Sequence, residues 1–225
     1  MITSAEFKKQ ISKTLSQSLK ELGFKGSGFS YRKESEHFIF IIGIQASQYG
    51  KKCCVEIGIH PKEMTDLFGS EINFKTLKYY ECEFRARLTK NQIKKWWNFS
   101  SKNYDNQWWD YSNSEKTNIK TAENIILTIK NEAVPIIETF QNEDYILDNL
   151  EISDLSNPTK KLAGLNVIGT EVRLIWALSK IYEKRNLKKA FDYARLGISK
   201  LEPNDKFLGK IDFENIILNY TNNFN

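Results

Sequence analysis

The stretch "HFIFIIGIQA", residues 37–46, constrains this chain more than any other segment. If extended, it directs apolar side chains to both of its faces, so it has to be a central strand with cover on each side. Its apolar run, "FIFIIGI", is far too short to cross a bilayer as a helix. Flanking segments at 29–34 and 52–60 are separated from it by the polar breaks "KESE" and "SQYGKK", the pattern of a hairpin meander. Within 225 residues, a hydrophobic fraction of 40% and an aromatic fraction of 13% suffice for a real core around such a sheet.

Ahead of the meander, residues 4–22 predict a helix. Thr3 and Glu6 have capping-box spacing, and Phe7, Ile11, Leu15, Leu19 and Leu22 form one apolar stripe that ends at Gly23. The stretch "YYECEFRARL", 79–88, alternates as a fourth strand. Its apolar face carries Tyr80, Cys82, Phe84, Ala86 and Leu88; its charged face carries Tyr79, Glu81, Glu83, Arg85 and Arg87. Residues 90–113 hold four of the five tryptophans and read as a packed helix-plus-strand or ordered loop.

From Ser114 onward the apolar spacing is helical, with Pro135 expected to kink or break the first helix. Further helices are predicted near 143–150, 170–184, 187–201 and 210–220, with a linker across "SDLSNPTKKLAGLNVIG". Residues 178–205 resemble one tetratricopeptide-like hairpin without a second copy, so that hairpin has to pack on something else. The fold class is therefore α+β: an antiparallel sheet of four to five strands with an N-terminal helix on it, followed by a mostly α-helical part. The expected division is a sheet domain over 1–150 and a helical extension over 151–225, packed on the first part.

Motifs for chemistry are missing where they would be looked for. Two histidines cannot form a three-His zinc site, and Cys53, Cys54 and Cys82 have no ligand spacing, so neither metal nor cofactor is expected. No phosphate loop or nucleophile elbow occurs in the sequence, and His60, before Pro61, reads as a surface or turn residue. Free thiols in strands, with no signal-peptide run in "MITSAEFKKQ", point to a soluble protein of the cytoplasm, away from membranes. A net charge of +5, spread among mixed signs, is ordinary solubility with a slight lean toward acidic partners.

What remains is the charged strand face and the tryptophans. A solvated exterior of modest cross-strand pairs explains the face, with Gln45 or Glu56 lying opposite the arginines. The alternative is a groove in which guanidinium forks grip an acidic group beside an aromatic wall. Its candidates are Gln45, Tyr49, Glu83, Arg85, Arg87, Trp96, Trp97, Trp108 and Trp109.

The order of these segments resembles a known family. Leu22 to Arg32, Gln45 to Gly50 ("QASQYG"), Glu56 to Ile59, Glu81 to Leu88 ("ECEFRARL") and a following Trp pair are similar to the motifs of the bacterial domain-of-unknown-function family 4304. The resemblance covers residues 5–140 and implies an α+β fold with an antiparallel sheet; it implies no activity. Glu83 stands where that family often has histidine, which removes any role that histidine would have here.

Three functional readings follow. The first is a non-enzymatic cytoplasmic binding protein that holds a protein partner, with immunity-type neutralisation of a toxin as its specific form. The second is a single-stranded nucleic-acid module built on "KNQIKKWWNFSSKNYDNQWW". The third is an enzyme with an Arg/Glu-lined cleft in which Glu83 does acid–base work.

Overall fold

The computed structural model describes residues 2–65, 70–90, 107–142, 145, 149, 166–167 and 170–224. Helix α1, Ser4–Glu21, begins at a complete capping box. The Thr3 hydroxyl accepts from the Glu6 amide, and the Glu6 carboxylate accepts from the Thr3 amide at 2.7 Å. It ends in a Schellman turn: Gly23, at φ 84°, donates to the Lys20 carbonyl, and Phe24 donates to that of Leu19. Phe7, Ile11, Leu15 and Leu19 are all buried, as the stripe predicts.

The strands are β1 (Lys25–Ser27), β2 (Ser30–Glu34), β3 (Phe38–Ala46), β4 (Lys52–Pro61), β5 (Phe84–Arg87), β6 (Trp109–Asp110) and β7 (Asn166–Val167). They form one antiparallel sheet in the order β1-β2-β3-β4-β5-β7, with β6 pairing β4 beyond the end of β5. Strands β2 to β4 are the expected meander and β5 the core of the expected fourth strand; the rest are two or three residues long, too short to show any alternation.

Strand β3 is covered on both faces. Phe38, Phe40, Ile42 and Ile44 join the main core with α1, while Ile39 and Ile41 meet Leu77, Cys82, Ile72, Phe74 and Tyr79 on the other side. Helices α2 (Glu115–Thr128) and α3 (Val134–Gln141) complete the main-core layer, and Phe140 packs on Phe38 and Phe84. A π-helical turn, Ile129–Ala133, joins them. Pro135 follows it after Val134. The π turn is where the α-helical ladder is interrupted beside the proline, and α-helix resumes at Val134.

The stretch 79–88 corrects its prediction in part. Only Phe84–Arg87 is strand; Tyr79–Glu81 is a 3₁₀ turn, in which the Glu81 carboxylate accepts from the Lys78 amide at 2.6 Å. Cys82 consequently faces Ile39 and Ile41 rather than sharing a side with Phe84. Alternating polarity cannot distinguish a strand from a turn that feeds it.

Helices α4 (Glu171–Glu183), α5 (Leu187–Lys200) and α6 (Lys210–Phe224) follow. Ala190, Ala194 and Gly197 are the buried residues of α5; their small size allows close approach, and Phe213 of α6 packs against Gly197. The buried apolar residues of α4 belong to the same apolar cluster as the sheet. Most of the helix predicted at 143–150 and most of the linker lie outside the described residues.

Candidate functional site

Cross-strand partners in an antiparallel sheet share a face. On the face away from α1, the register sets out successive rows: Gln45 with Cys54, then Gly43 with Glu56 and Arg87, then Ile41 with Gly58 and Arg85, then Ile39 with His60. The polar residues of β4 and β5 therefore form a band along the sheet.

Two glycines let the 79–82 turn lie on this band. A Cβ at Gly43 would strike the Tyr79 ring, and one at Gly58 would stand 2.7 Å from the Tyr79 carbonyl oxygen and 2.8 Å from Cys82 Sγ. So seated, Tyr79 donates its hydroxyl proton to Gln45 Oε1 at 3.1 Å.

Next to it, Arg87 donates to Glu56 Oε1 from Nε at 2.9 Å and from Nη2 at 2.7 Å. The guanidinium carbon lies 5.1 Å from the centre of the Trp108 ring. Burial pulls the Arg87 pKa down, but the Glu56 hydrogen bonds together with the charges of Cys54, Glu56 and Tyr79 outweigh it and the net shift is upward. The Arg87 side chain is 32% exposed, against 13% for Glu56, so the carboxylate is the covered partner and the guanidinium the open one.

Cys54 lies under this group, its Sγ 3.8 Å from Gln45 Oε1. Burial pushes its thiol up to about 11, which keeps it protonated at neutral pH and removes it as a nucleophile. Six residues along β4, roughly 20 Å away, His60 is out of its reach.

A second group occupies the far end of the band. Glu83 is buried, and Arg173 of α4 grips its two oxygens, Nε to Oε2 at 2.9 Å and Nη2 to Oε1. Burial pushes the Glu83 carboxyl up, and the Arg173 hydrogen bonds and charge oppose that shift. His60, near enough to feel the Arg173 charge, is fully buried, which corrects its reading as a surface residue. Burial lowers the imidazole to about 4, and the Arg173 charge adds to the drop; the Met64 backbone opposes it without reaching hydrogen-bonding geometry.

The sequence candidates thus divide. Gln45, Arg87 and Trp108 come together, joined by Glu56, Tyr79 and Cys54. Glu83 and Arg85 belong to the second group. Tyr49 is 89% exposed in the β3–β4 turn, away from both. Trp109 is buried in the main core and donates to Asn124 at 2.8 Å. Trp96 and Trp97 lie outside the described residues, as does most of the aromatic segment on which a nucleic-acid platform would rest. The sequence reading missed Arg173; its only signal is a lone arginine heading the apolar run "LIWAL".

A family model described as Domain of unknown function (DUF4304) matches residues 15–139, more than half of the chain. The chain belongs to the DUF4304 family. The match contains Tyr79, Glu83, Arg87 and Trp108, whereas Arg173 and helices α4 to α6 lie beyond it. No curated protein and no solved structure matches the chain.

Proposed function

We propose that this DUF4304 protein is a non-enzymatic binding protein that holds a protein partner through the Arg87–Trp108 patch. The observation that carries this reading is the Arg87 guanidinium, fixed on one edge by Glu56, stacked over Trp108 and still open to solvent. Its Nη1 edge has no hydrogen bond among the described residues and suits an acidic group on the partner. Arg, Trp and Tyr are the residue types that dominate binding energy at protein interfaces. The same geometry speaks against catalysis: Glu56 and Glu83 are both tied to arginines, and the Cys54 thiol is protonated.

A reducing compartment such as the cytoplasm suits three buried free thiols. No helix among the described residues is long and apolar enough to cross a membrane.

The test is quantitative affinity capture from cells that make the protein, comparing wild type with Arg87→Ala, Trp108→Ala and, as an off-patch control, Tyr49→Ala. A partner lost with the first two and retained with the third supports the reading. An interface anchor corresponds to roughly a 30-fold loss of affinity, about 2 kcal/mol. Partners captured equally by all four proteins would refute it.

A further inference from the structure

We propose that His60, Arg85 and Arg173 form a buried site for a single oxyanion of the phosphate or carboxylate class, at the opposite end of the band from the Arg87–Trp108 patch. Strand register places His60 and Arg85 on one face of the sheet, on neighbouring rows of β4 and β5. Arg173 is brought to the same place by its grip on Glu83, the residue just before β5. Arg85 acts on the same carboxylate through its charge, so among the described residues two guanidinium groups face one carboxylate.

The polar atoms left over are specific. Arg173 gives Nε and Nη2 to Glu83, while its Nη1 is buried with no hydrogen-bond partner. The same holds for Arg85 Nε and for both ring nitrogens of His60, which is 0% exposed. An unsatisfied buried polar atom costs about 1–3 kcal/mol, and more when it carries charge. Several on residues gathered around one ion pair are not incidental to the packing.

Their chemistry selects the occupant. Two permanently charged guanidiniums repel a cation and offer planar N–H donors, the arrangement that recognises phosphate and carboxylate oxygens. His60, neutral at physiological pH, still has one N–H to donate. Arg173 is the third residue of the 13-residue helix α4, so the positive end of that helix adds to the same field. Glu83 is the positioning residue: by holding two of the three Arg173 nitrogens it turns the third away from itself.

The experiment titrates the full chain with inorganic phosphate, and separately with acetate, against sodium chloride at equal ionic strength. Thermal unfolding and the ¹⁵N shifts of the His60 ring are followed together. A melting temperature that rises by several degrees with one oxyanion but not with chloride, with concerted movement of the His60 signals, is the expected result. Phosphate acting alone assigns the site to a phosphate group, and acetate acting alone to a carboxylate. Arg85→Met leaves the Glu83–Arg173 pair intact and should abolish both responses. Equal behaviour in all three salts, or a response that survives Arg85→Met, overturns the site.

Discussion

Arg173 and Glu83, ninety residues apart in sequence, meet as a bidentate ion pair with side chains only 12% and 5% exposed. Such a pair is asymmetric in its energetics. Desolvating both charges offsets most of their attraction, whereas removing one strands the other in a low-dielectric site. Arg173→Leu should cost about 3–5 kcal/mol, and Glu83→Leu in that background should recover most of the loss. Urea denaturation of the four corners of the cycle checks this; additive single-mutant costs would show that the pair is not coupled.

The His60 imidazole predicts an acid limit. Its folded-state value is lowered to about 4, so in moderately acidic solution the unfolded chain binds a proton that the folded one refuses. Its contribution is fully present above the ordinary histidine range and is lost as pH falls from about 6.5 toward 4, on the order of 3 kcal/mol over the window. Glu83, whose value is raised, contributes with the opposite sign, since its protonation on acidification favours the folded state. The difference between wild type and His60→Gln isolates the histidine: stability measured from pH 7 to pH 4 should fall less steeply in the variant. Parallel curves would mean that His60 takes up its proton in the folded state.

What the sequence revealed follows the physics of each signal. Alternation and helical spacing are local, so α1 with its cap, the β2–β4 meander and helices α4 to α6 were legible from residue order alone. Arg87 and Gln45 were candidates because strand phase puts them on one face, and the cross-strand role of Glu56 follows from the same rule. The Glu83–Arg173 contact was not legible, because nothing in either neighbourhood specifies how α4 docks on the sheet. Tyr49 and Trp109 show the opposite failure. Their residue types suit a binding surface, but exposure of one and burial of the other depend on turn geometry and on packing, which composition does not encode.

Asn118 is fully buried and fully satisfied. Its side-chain nitrogen donates to Gln10 Oε1 at 2.6 Å and to the Ser112 carbonyl at 2.8 Å, and its oxygen accepts from the Ser112 amide. One of these bonds ties α2 to α1, and the other two hold the segment that leads into α2. Asn118→Leu leaves the half-buried Ser112 amide and carbonyl without their partner, so it should cost about 1–3 kcal/mol despite the added apolar volume. Thermal unfolding measures this, and a neutral result would imply that Ser112 and Gln10 find water instead.

Gly43 and Gly58 differ in what their missing Cβ spares, and so predict different epistasis. At Gly43 the obstacle is the Tyr79 ring, which is a side chain; at Gly58 it is the Tyr79 carbonyl and Cys82 Sγ. Either Gly→Ala change forces the 79–82 turn off the sheet, at about 1–3 kcal/mol for overpacking. Truncating Tyr79 to Ala removes the first obstacle and leaves the second in place. The Tyr79→Ala change should therefore be cheaper in a Gly43→Ala background than in wild type, and no cheaper in a Gly58→Ala background. Denaturation curves for the five variants decide it. A Tyr79→Ala cost independent of Gly43 would place the ring elsewhere and detach Tyr79 from the Gln45–Arg87 patch.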